Sequence, residues 1–194
     1  MSINIIETNL EWAYPLTPRI ATDYLVLHHE AGRGTVESVH NYHLSKGWAG
    51  IAYHYFVAID GTIYRGRPED MQGGHTSGYN PCSIGICAEG NFEEEAMSDA
   101  QREALRALVM DIRKRYPNIL VVRHSDLSAT ACPGKNYPFD YIISPEKSEW
   151  EKEQEIVTEW VKEQGISDGT RPQDPISRVE LWAMLYRMEG KKND

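Results

Sequence analysis

Short apolar segments alternate with helical patterns through most of this chain, and that alternation narrows the range of possible folds. Four segments have the length and the β-branched or aromatic content of buried strands: residues 24–29, 51–59, 83–88 and 119–122. Helical spacing of apolar side chains begins after Thr35, an expected N-cap, and again from Ser98 to Arg115. This order predicts an α/β layer structure with a central sheet covered by helices.

The size and charge of the chain exclude several classes of protein. Its 194 residues suffice for one core of ordinary size with a small appendage. No apolar run approaches the roughly 18 to 20 residues that span a bilayer, so we expect no membrane partner. The net charge of −9 argues against a dedicated nucleic-acid binder, which would normally show a basic face.

The amino terminus and the cysteines indicate where the chain is made. Residues 1–7 have neither a basic start nor an apolar segment, so we expect no secretory signal and a cytoplasmic site of synthesis. The three cysteines, Cys82, Cys87 and Cys132, are an odd number that agrees with a reducing compartment.

A histidine and a cysteine flank a short polar segment after the last predicted strand. His124 and Cys132 can converge if this segment folds back, and zinc binds neutral imidazole and thiolate. A catalytic zinc has three protein ligands, so a third is expected elsewhere, and the pair His28-His29 at the end of the first strand is the best candidate. The alternative is that Cys132 is a small buried hydrophobe and the histidines are ordinary core or surface residues.

Other histidines and aromatic residues occupy less specific positions. His40 and His43 lie three apart on the first helix, where two spare histidines on a half-exposed helix are the simpler interpretation. His75 and Tyr79 lie in a glycine-rich loop, residues 71–81, which suits the lining of a groove. Strand alternation allows only one of Tyr53 and His54 to face a given site directly.

The composition changes near residue 144. A highly charged run precedes a predicted helix whose stripe contains Ile156, Val157, Trp160 and Val161, and a second amphipathic helix is expected from about residue 176 after a turn at 165–172. We therefore expect a first domain at 1–144 and a small helical appendage at 145–194. Two such helices bury little by themselves, so they need each other, the first domain or another copy.

The region from Tyr24 to Gly134 resembles the zinc-dependent N-acetylmuramoyl-L-alanine amidases of phage endolysins and bacterial autolysins, which are related to peptidoglycan recognition proteins. Six motifs follow the family order: Leu25-Val26-Leu27-His28-His29, Gly47-Trp48 with Tyr53-His54-Tyr55, Asp60-Gly61-Thr62-Ile63-Tyr64, Asn80 with Ser83-Ile84-Gly85-Ile86, Gly90-Asn91-Phe92, and His124 with Ala131-Cys132-Pro133-Gly134. The resemblance implies a central mixed β-sheet flanked by helices. It also implies a zinc ion held by His28, His124 and Cys132.

The resemblance further implies catalytic and substrate-binding residues. Tyr53 matches a family tyrosine beside the zinc, where it would orient groups or relay a proton. Some relatives carry a glutamate base where this chain has Cys87, and Glu89, on the same side of an extended strand, is a candidate substitute. Thr130 stands where many relatives have a lysine that steadies the oxyanion. We expect His75, Tyr79 and Asn80 to contact the substrate.

The implied activity is hydrolysis of the amide between N-acetylmuramic acid and the L-alanine of the stem peptide in bacterial peptidoglycan. The implied setting is a phage endolysin made in the cytoplasm that acts on the cell wall after release, and a cytosolic amidase that recycles wall fragments is the other setting. A peptidoglycan recognition protein without catalysis is the alternative function, although such proteins typically lack the cysteine ligand. A structural zinc is a third alternative and would need a fourth protein ligand, such as His54 or His29.

The tail resembles a single S-layer-homology-like repeat, a motif of cell-wall proteins and some endolysins. The resemblance covers residues 160–186 and includes the segment 165–170 and Arg178. Such motifs commonly occur in several copies, and here there is one. It implies binding to a cell-wall polysaccharide, self-association, or docking on the first domain.

Overall fold

The computed structural model describes residues 3–145, 149–166, 170, 175 and 178–190. The chain divides into two compact units, Met1–Ser144 and Pro145–Asp194. Within the described residues, no helix combines the length and the apolar character needed to cross a membrane.

A six-stranded mixed sheet forms the centre of the first unit. Its strands are β1 (Ile5–Ile6), β2 (Tyr24–His29), β3 (Tyr55–Val57), β4 (Ile63–Arg65), β5 (Ser83–Ala88) and β6 (Leu120–Arg123). They lie in the order β1-β4-β3-β5-β2-β6. Only the hairpin pair β3 and β4 is antiparallel, and the other four pairs are parallel. The predicted α/β fold with a central mixed sheet is confirmed.

The third strand begins later than the apolar run at 51–59 predicts. The backbone N–H groups of Ile51 and Ala52 donate to Nδ1 of His40 and His43, each at 3.1 Å, instead of to a neighbouring strand. These side-chain bonds hold the segment against α1 (Val36–Ser45) and leave regular pairing to start at Tyr55.

Residues 3–144 of the first unit form four helices, and the two long ones start where the sequence predicts. Thr35 caps α1 by accepting from the Ser38 N–H, and Ser98 caps α2 (Asp99–Arg115) by accepting from the Gln101 N–H. The short helices α3 (His124–Leu127) and α4 (Phe139–Ile143) follow, and a single 3₁₀ turn spans Asn80–Cys82.

The two long helices cover different sets of core side chains. The larger core joins one face of the sheet to α2 and includes Leu25, Leu27, Tyr55, Val57, Ile84, Ile86, Leu105, Leu108, Val109 and Ile112. A smaller cluster joins Phe56 and Cys87 to Val36, Val39 and Ile51. His28 pairs with Cys87 in the parallel ladder, so its side chain leaves the sheet on the side of α1.

The described residues of the second unit form two helices, α5 (Glu149–Glu163) and α6 (Arg178–Gly190). Several large apolar side chains on them are exposed: Trp150, Ile156, Val157, Trp160, Val179, Leu181, Trp182, Leu185 and Tyr186. The predicted turn at 165–172 and the predicted helix start at 176–177 lie largely outside the described residues.

A carboxylate network ties α2 to the hairpin. Glu69 accepts hydrogen bonds from Tyr55 and Arg115, and from the Tyr116 hydroxyl at 2.8 Å. Burial by itself would raise the pKa of Glu69, but these hydrogen bonds and the Arg115 charge lower it to about 2 from an ordinary value of 4.5. The folded state therefore stabilises the ionised carboxylate of Glu69 relative to the unfolded chain.

We expect Glu69 to contribute stability above about pH 4.5 and to lose that contribution as the pH falls toward 2, because its pKa is depressed in the folded state. Glu69→Gln should lower the free energy of unfolding at pH 7 by roughly 2–3 kcal/mol and weaken its dependence on acid. Denaturant unfolding at several pH values measures both. Glu7→Gln is the control, since the Glu7 side chain is 71% exposed and should matter little. Equal stability of Glu69→Gln and the parent would contradict the assignment.

Candidate metal centre

Two strand ends and one loop build the centre. His28 is the second-last residue of β2 and is only 1% exposed, and His124 directly follows β6. Because β2 and β6 are parallel neighbours with Leu27 opposite Arg123, their next residues emerge side by side.

The third donor comes from the loop that follows α3. The Ser125 N–H donates to the Cys132 carbonyl at 2.8 Å, so the chain doubles back toward the strand ends. Gly134 closes the loop with a φ of +104°, and a Cβ there would lie 2.4 Å from the carbonyl carbon of Phe92. Only glycine fits both the conformation and the close approach.

The donor atoms of His28, His124 and Cys132 all lie within 4.8 Å of one another. His28 Nδ1 is 3.7 Å from Cys132 Sγ, and the two imidazole centroids are 4.5 Å apart. Tetrahedral zinc with ordinary bond lengths separates its nitrogen and sulfur ligands by about 3.3–3.6 Å. Two imidazoles and a thiolate at this spacing therefore fit zinc.

The two candidates for a fourth zinc ligand, His54 and His29, form hydrogen bonds to backbone groups instead. His54 accepts from the Gly85 N–H at 2.9 Å through Nδ1 and donates to the Met71 carbonyl at 2.8 Å through Nε2. His29 Nδ1 accepts from the Phe92 N–H at 3.2 Å. Within the described part of the chain the donor group has three members, which is typical of a catalytic rather than a structural zinc.

Burial sets the protonation of the three donors. It lowers the pKa of His28, with the neighbouring His124 adding to the effect, and it lowers the pKa of His124. Neutral imidazole is the form that binds metals. Burial also raises the pKa of Cys132 to about 11, although a hydrogen bond from the His29 N–H acts in the opposite direction. Metal binding here must therefore release the thiol proton.

Tyr53 lies beside the centre, as its family match implies. Its ring centroid is 5.1 Å from that of His28 and 5.8 Å from that of His43. Burial, followed by the charges of Cys87 and Cys132, raises the pKa of Tyr53 well above its usual range. The phenol therefore keeps its proton and can act as a hydrogen-bond donor.

The other two expected catalytic residues, Thr130 and Glu89, lie in different parts of the fold. Thr130 is exposed, and its hydroxyl accepts from the Cys132 N–H at 3.2 Å, which places it on the ligand loop. Glu89 accepts from the Ile59 N–H at 2.9 Å. This bond ties the Glu89 carboxylate to the turn between β3 and β4, and its catalytic role stays a prediction.

The three loop residues expected to contact the substrate make their observed contacts within the protein. His75 is only 7% exposed, and its Nδ1 lies 3.0 Å from His28 Nε2. Asn80 Oδ1 accepts from the backbone N–H groups of His75 and Thr76, both at 2.9 Å. The ring of Tyr79, half-buried, meets Tyr24 edge-on at 5.3 Å. The loop thus supports the centre through intramolecular bonds, and substrate contact by His75, Tyr79 and Asn80 stays a prediction.

Glu30 is a neighbour of the centre that the sequence patterns did not single out. Its Oε2 is buried and has no hydrogen-bond partner among the described residues. Burial and the charge of Glu89 raise the pKa of Glu30, and its own charge contributes to the raised pKa of Tyr53. Glu30 directly follows β2, and its spacing of two residues from His28 was the available sequence clue.

Comparison with known proteins agrees with this geometry. Residues 18–135 match the family model described as N-acetylmuramoyl-L-alanine amidase. The endolysin of Klebsiella phage KP32 is 32% identical over 151 residues, which cover 73% of this chain and 93% of that protein. Peptidoglycan-recognition protein SC2 of Drosophila melanogaster is 32% identical over 126 residues, covering 58% of this chain and 68% of that protein.

A solved structure extends the similarity to three dimensions. The N-acetylmuramoyl-L-alanine amidase LysC from Clostridium intestinale URNW superposes with a TM-score of 0.71 at 39% identity, covering 73% of this chain and 95% of that one. The family model spans more than half of the present chain and contains all three donors. This chain belongs to the N-acetylmuramoyl-L-alanine amidase family.

Proposed function

We propose that this amidase cleaves the bond between N-acetylmuramic acid and the L-alanine of the stem peptide with a zinc ion held by His28, His124 and Cys132. Peptidoglycan amidase activity follows from the family and from the similarity to phage endolysins. The observation that carries the metal assignment is the convergence of two imidazoles and one thiol within 4.8 Å.

The chemistry divides between the metal and nearby side chains. Zinc, when bound, activates water for attack and polarises the amide carbonyl. Tyr53, a protonated phenol beside His28, would donate a hydrogen bond to the oxygen on which negative charge develops. The Thr130 hydroxyl would add a neutral donor there, because a hydroxyl that accepts from Cys132 N–H still has its own hydrogen to give.

Cys132→Ser should lose zinc and reduce hydrolysis of cell walls by about 100-fold or more, because a hydroxyl does not ionise to replace the thiolate. Metal analysis and release of amino groups from purified walls measure the two effects. Cys82→Ser is the matched control, since Cys82 lies outside the donor group and bonds to the Tyr79 carbonyl. Full activity of Cys132→Ser without metal would refute the assignment.

Tyr53→Phe should keep zinc and slow hydrolysis by about 100-fold, because it removes one hydrogen-bond donor while leaving the ring in place. The measurement is kcat with zinc content determined on the same sample. Tyr64→Phe, on strand β4 away from the donors, should retain the parent rate. An unchanged rate for Tyr53→Phe would reduce Tyr53 to a packing residue.

The competing function is recognition of peptidoglycan without cleavage, as the name of the Drosophila relative suggests for that protein. The presence of the cysteine donor together with both histidines favours the enzyme. Binding of stem-peptide fragments without release of amino groups, by zinc-loaded protein, would favour recognition instead.

We further propose that the second unit, residues 145–194, binds a cell-wall polysaccharide or mediates self-association as an S-layer-homology-like repeat. Its helices expose apolar side chains such as Trp160 and Trp182, and exposed apolar groups of this size often mark interaction sites. By analogy with the phage endolysin, the protein would act on the cell wall after release from the cell that makes it.

Deletion of residues 145–194 should leave a folded, zinc-binding amidase, because the core and the three donors all lie in the first unit. Binding to whole cells or the oligomeric state should change, as measured by sedimentation with cell walls and by light scattering. An unfolded remainder would contradict the proposed division, and identical wall binding and oligomeric state would contradict a role for the second unit in either.

A further inference from the structure

The proposed metal site leaves one nitrogen of His28 to be accounted for. Nδ1 faces Cys132 Sγ at 3.7 Å and is the nitrogen available to a metal. A neutral imidazole that offers a lone pair at Nδ1 carries its hydrogen on Nε2. That nitrogen lies 3.0 Å from Nδ1 of His75, at hydrogen-bond distance.

The bonds beyond His75 set its tautomer. His75 Nε2 lies 3.4 Å from the Ser83 hydroxyl oxygen, and that hydroxyl donates to the Tyr79 carbonyl at 2.8 Å. The Ser83 hydrogen is thereby used, so Ser83 accepts from His75 Nε2–H. His75 Nδ1 is then a lone pair, which accepts from His28 and is shared with the Thr76 hydroxyl at 3.0 Å.

The surroundings of His75 hold its ring in place. A Cβ added at Gly85 would come within 2.5 Å of the ring, and one at Gly73 within 2.3 Å. Gly85 lies in β5 opposite Val26 of β2, so its missing side chain creates the space over the sheet that the imidazole fills. Asn80 Oδ1 holds the His75 backbone by accepting from the His75 N–H at 2.9 Å.

We propose that His75 is a positioning residue that fixes the tautomer and ring orientation of His28, so that Nδ1 is presented to the metal. The proposal rests on the metal site proposed above. A hydrogen-bond partner on the far nitrogen of a ligand histidine orients the ring and raises its basicity, and loss of such a partner typically weakens metal binding 10- to 100-fold.

Two substitutions of similar size separate the hydrogen bond from the packing. Asn places an amide oxygen near the position of His75 Nδ1, whereas Leu fills the space without an acceptor. We expect His75→Leu to bind zinc about 10- to 100-fold more weakly than the parent, and His75→Asn to stay within about threefold. Zinc affinity is measured on the full chain by competition with a chromophoric chelator at fixed pH.

The control is His40→Gln. His40 is also buried, at 4% exposure, and both of its ring nitrogens bond to backbone groups, of Ile51 and Glu11, outside the centre. This variant should lose stability but keep the parent zinc affinity. If it weakened zinc binding as much as His75→Leu, the effect of His75 would be general destabilisation and the proposal would fail.

A second measurement needs no variant and covers the case in which His75→Leu does not fold. Two-bond ¹H–¹⁵N spectra of the zinc-loaded parent should place the ring hydrogens of His28 and His75 on Nε2. A hydrogen on Nδ1 of either residue, or parent affinity in His75→Leu, overturns the proposal while leaving the zinc site intact. A parent that binds no zinc overturns the site itself.

Discussion

The parallel pairing of β2 with β6 is the constraint on which the centre depends. Parallel strands end at the same edge of a sheet, and the register that puts Leu27 opposite Arg123 brings His28 and His124 out together. Pairing of β2 with β5 on its other side buries the strand and leaves His28 almost inaccessible. A shift of one residue in either ladder would turn His28 to the opposite face of the sheet, toward α2.

Buried histidines connect the segments around this centre. His40 and His43 accept from the backbone before β3, and His54 joins β5 to the chain near Met71. Burial lowers the pKa of His43 and His54 to about 4, so both stay neutral at physiological pH and keep these bonds. The same residue type thus serves as proposed metal ligand, as proposed partner of that ligand and as backbone acceptor in one small region.

The sequence was sufficient for the features that depend on local pattern. The strands at 24–29 and 83–88, the helix from Ser98 with its cap, and the α/β layering are confirmed, and all of them depend on apolar periodicity and capping chemistry that act over a few residues. The mixed sheet, also confirmed, was implied by the family resemblance. The start of β3 differed from its prediction because the N–H groups of Ile51 and Ala52 find partners on a distant helix.

The surroundings of the centre were less accessible to sequence reasoning. The positions of His75 and Glu89 along the chain suggest a binding role and a catalytic role. Their hydrogen-bond partners, His28 and the Ile59 N–H, are set by tertiary contacts that the sequence does not show. Gly73 and Gly85 each leave space for the His75 ring. The sequence shows that glycine stands at these positions, but it does not show which side chain fills the space.

The central claim is that zinc held by His28, His124 and Cys132 is required for cleavage at L-alanine. The most direct test is metal analysis of the purified protein together with release of L-alanine amino termini from cell walls before chelation, after it, and after zinc is restored. The account predicts about one zinc per chain, loss of amine release on chelation and recovery with zinc. Undiminished release from fully metal-free protein would contradict it.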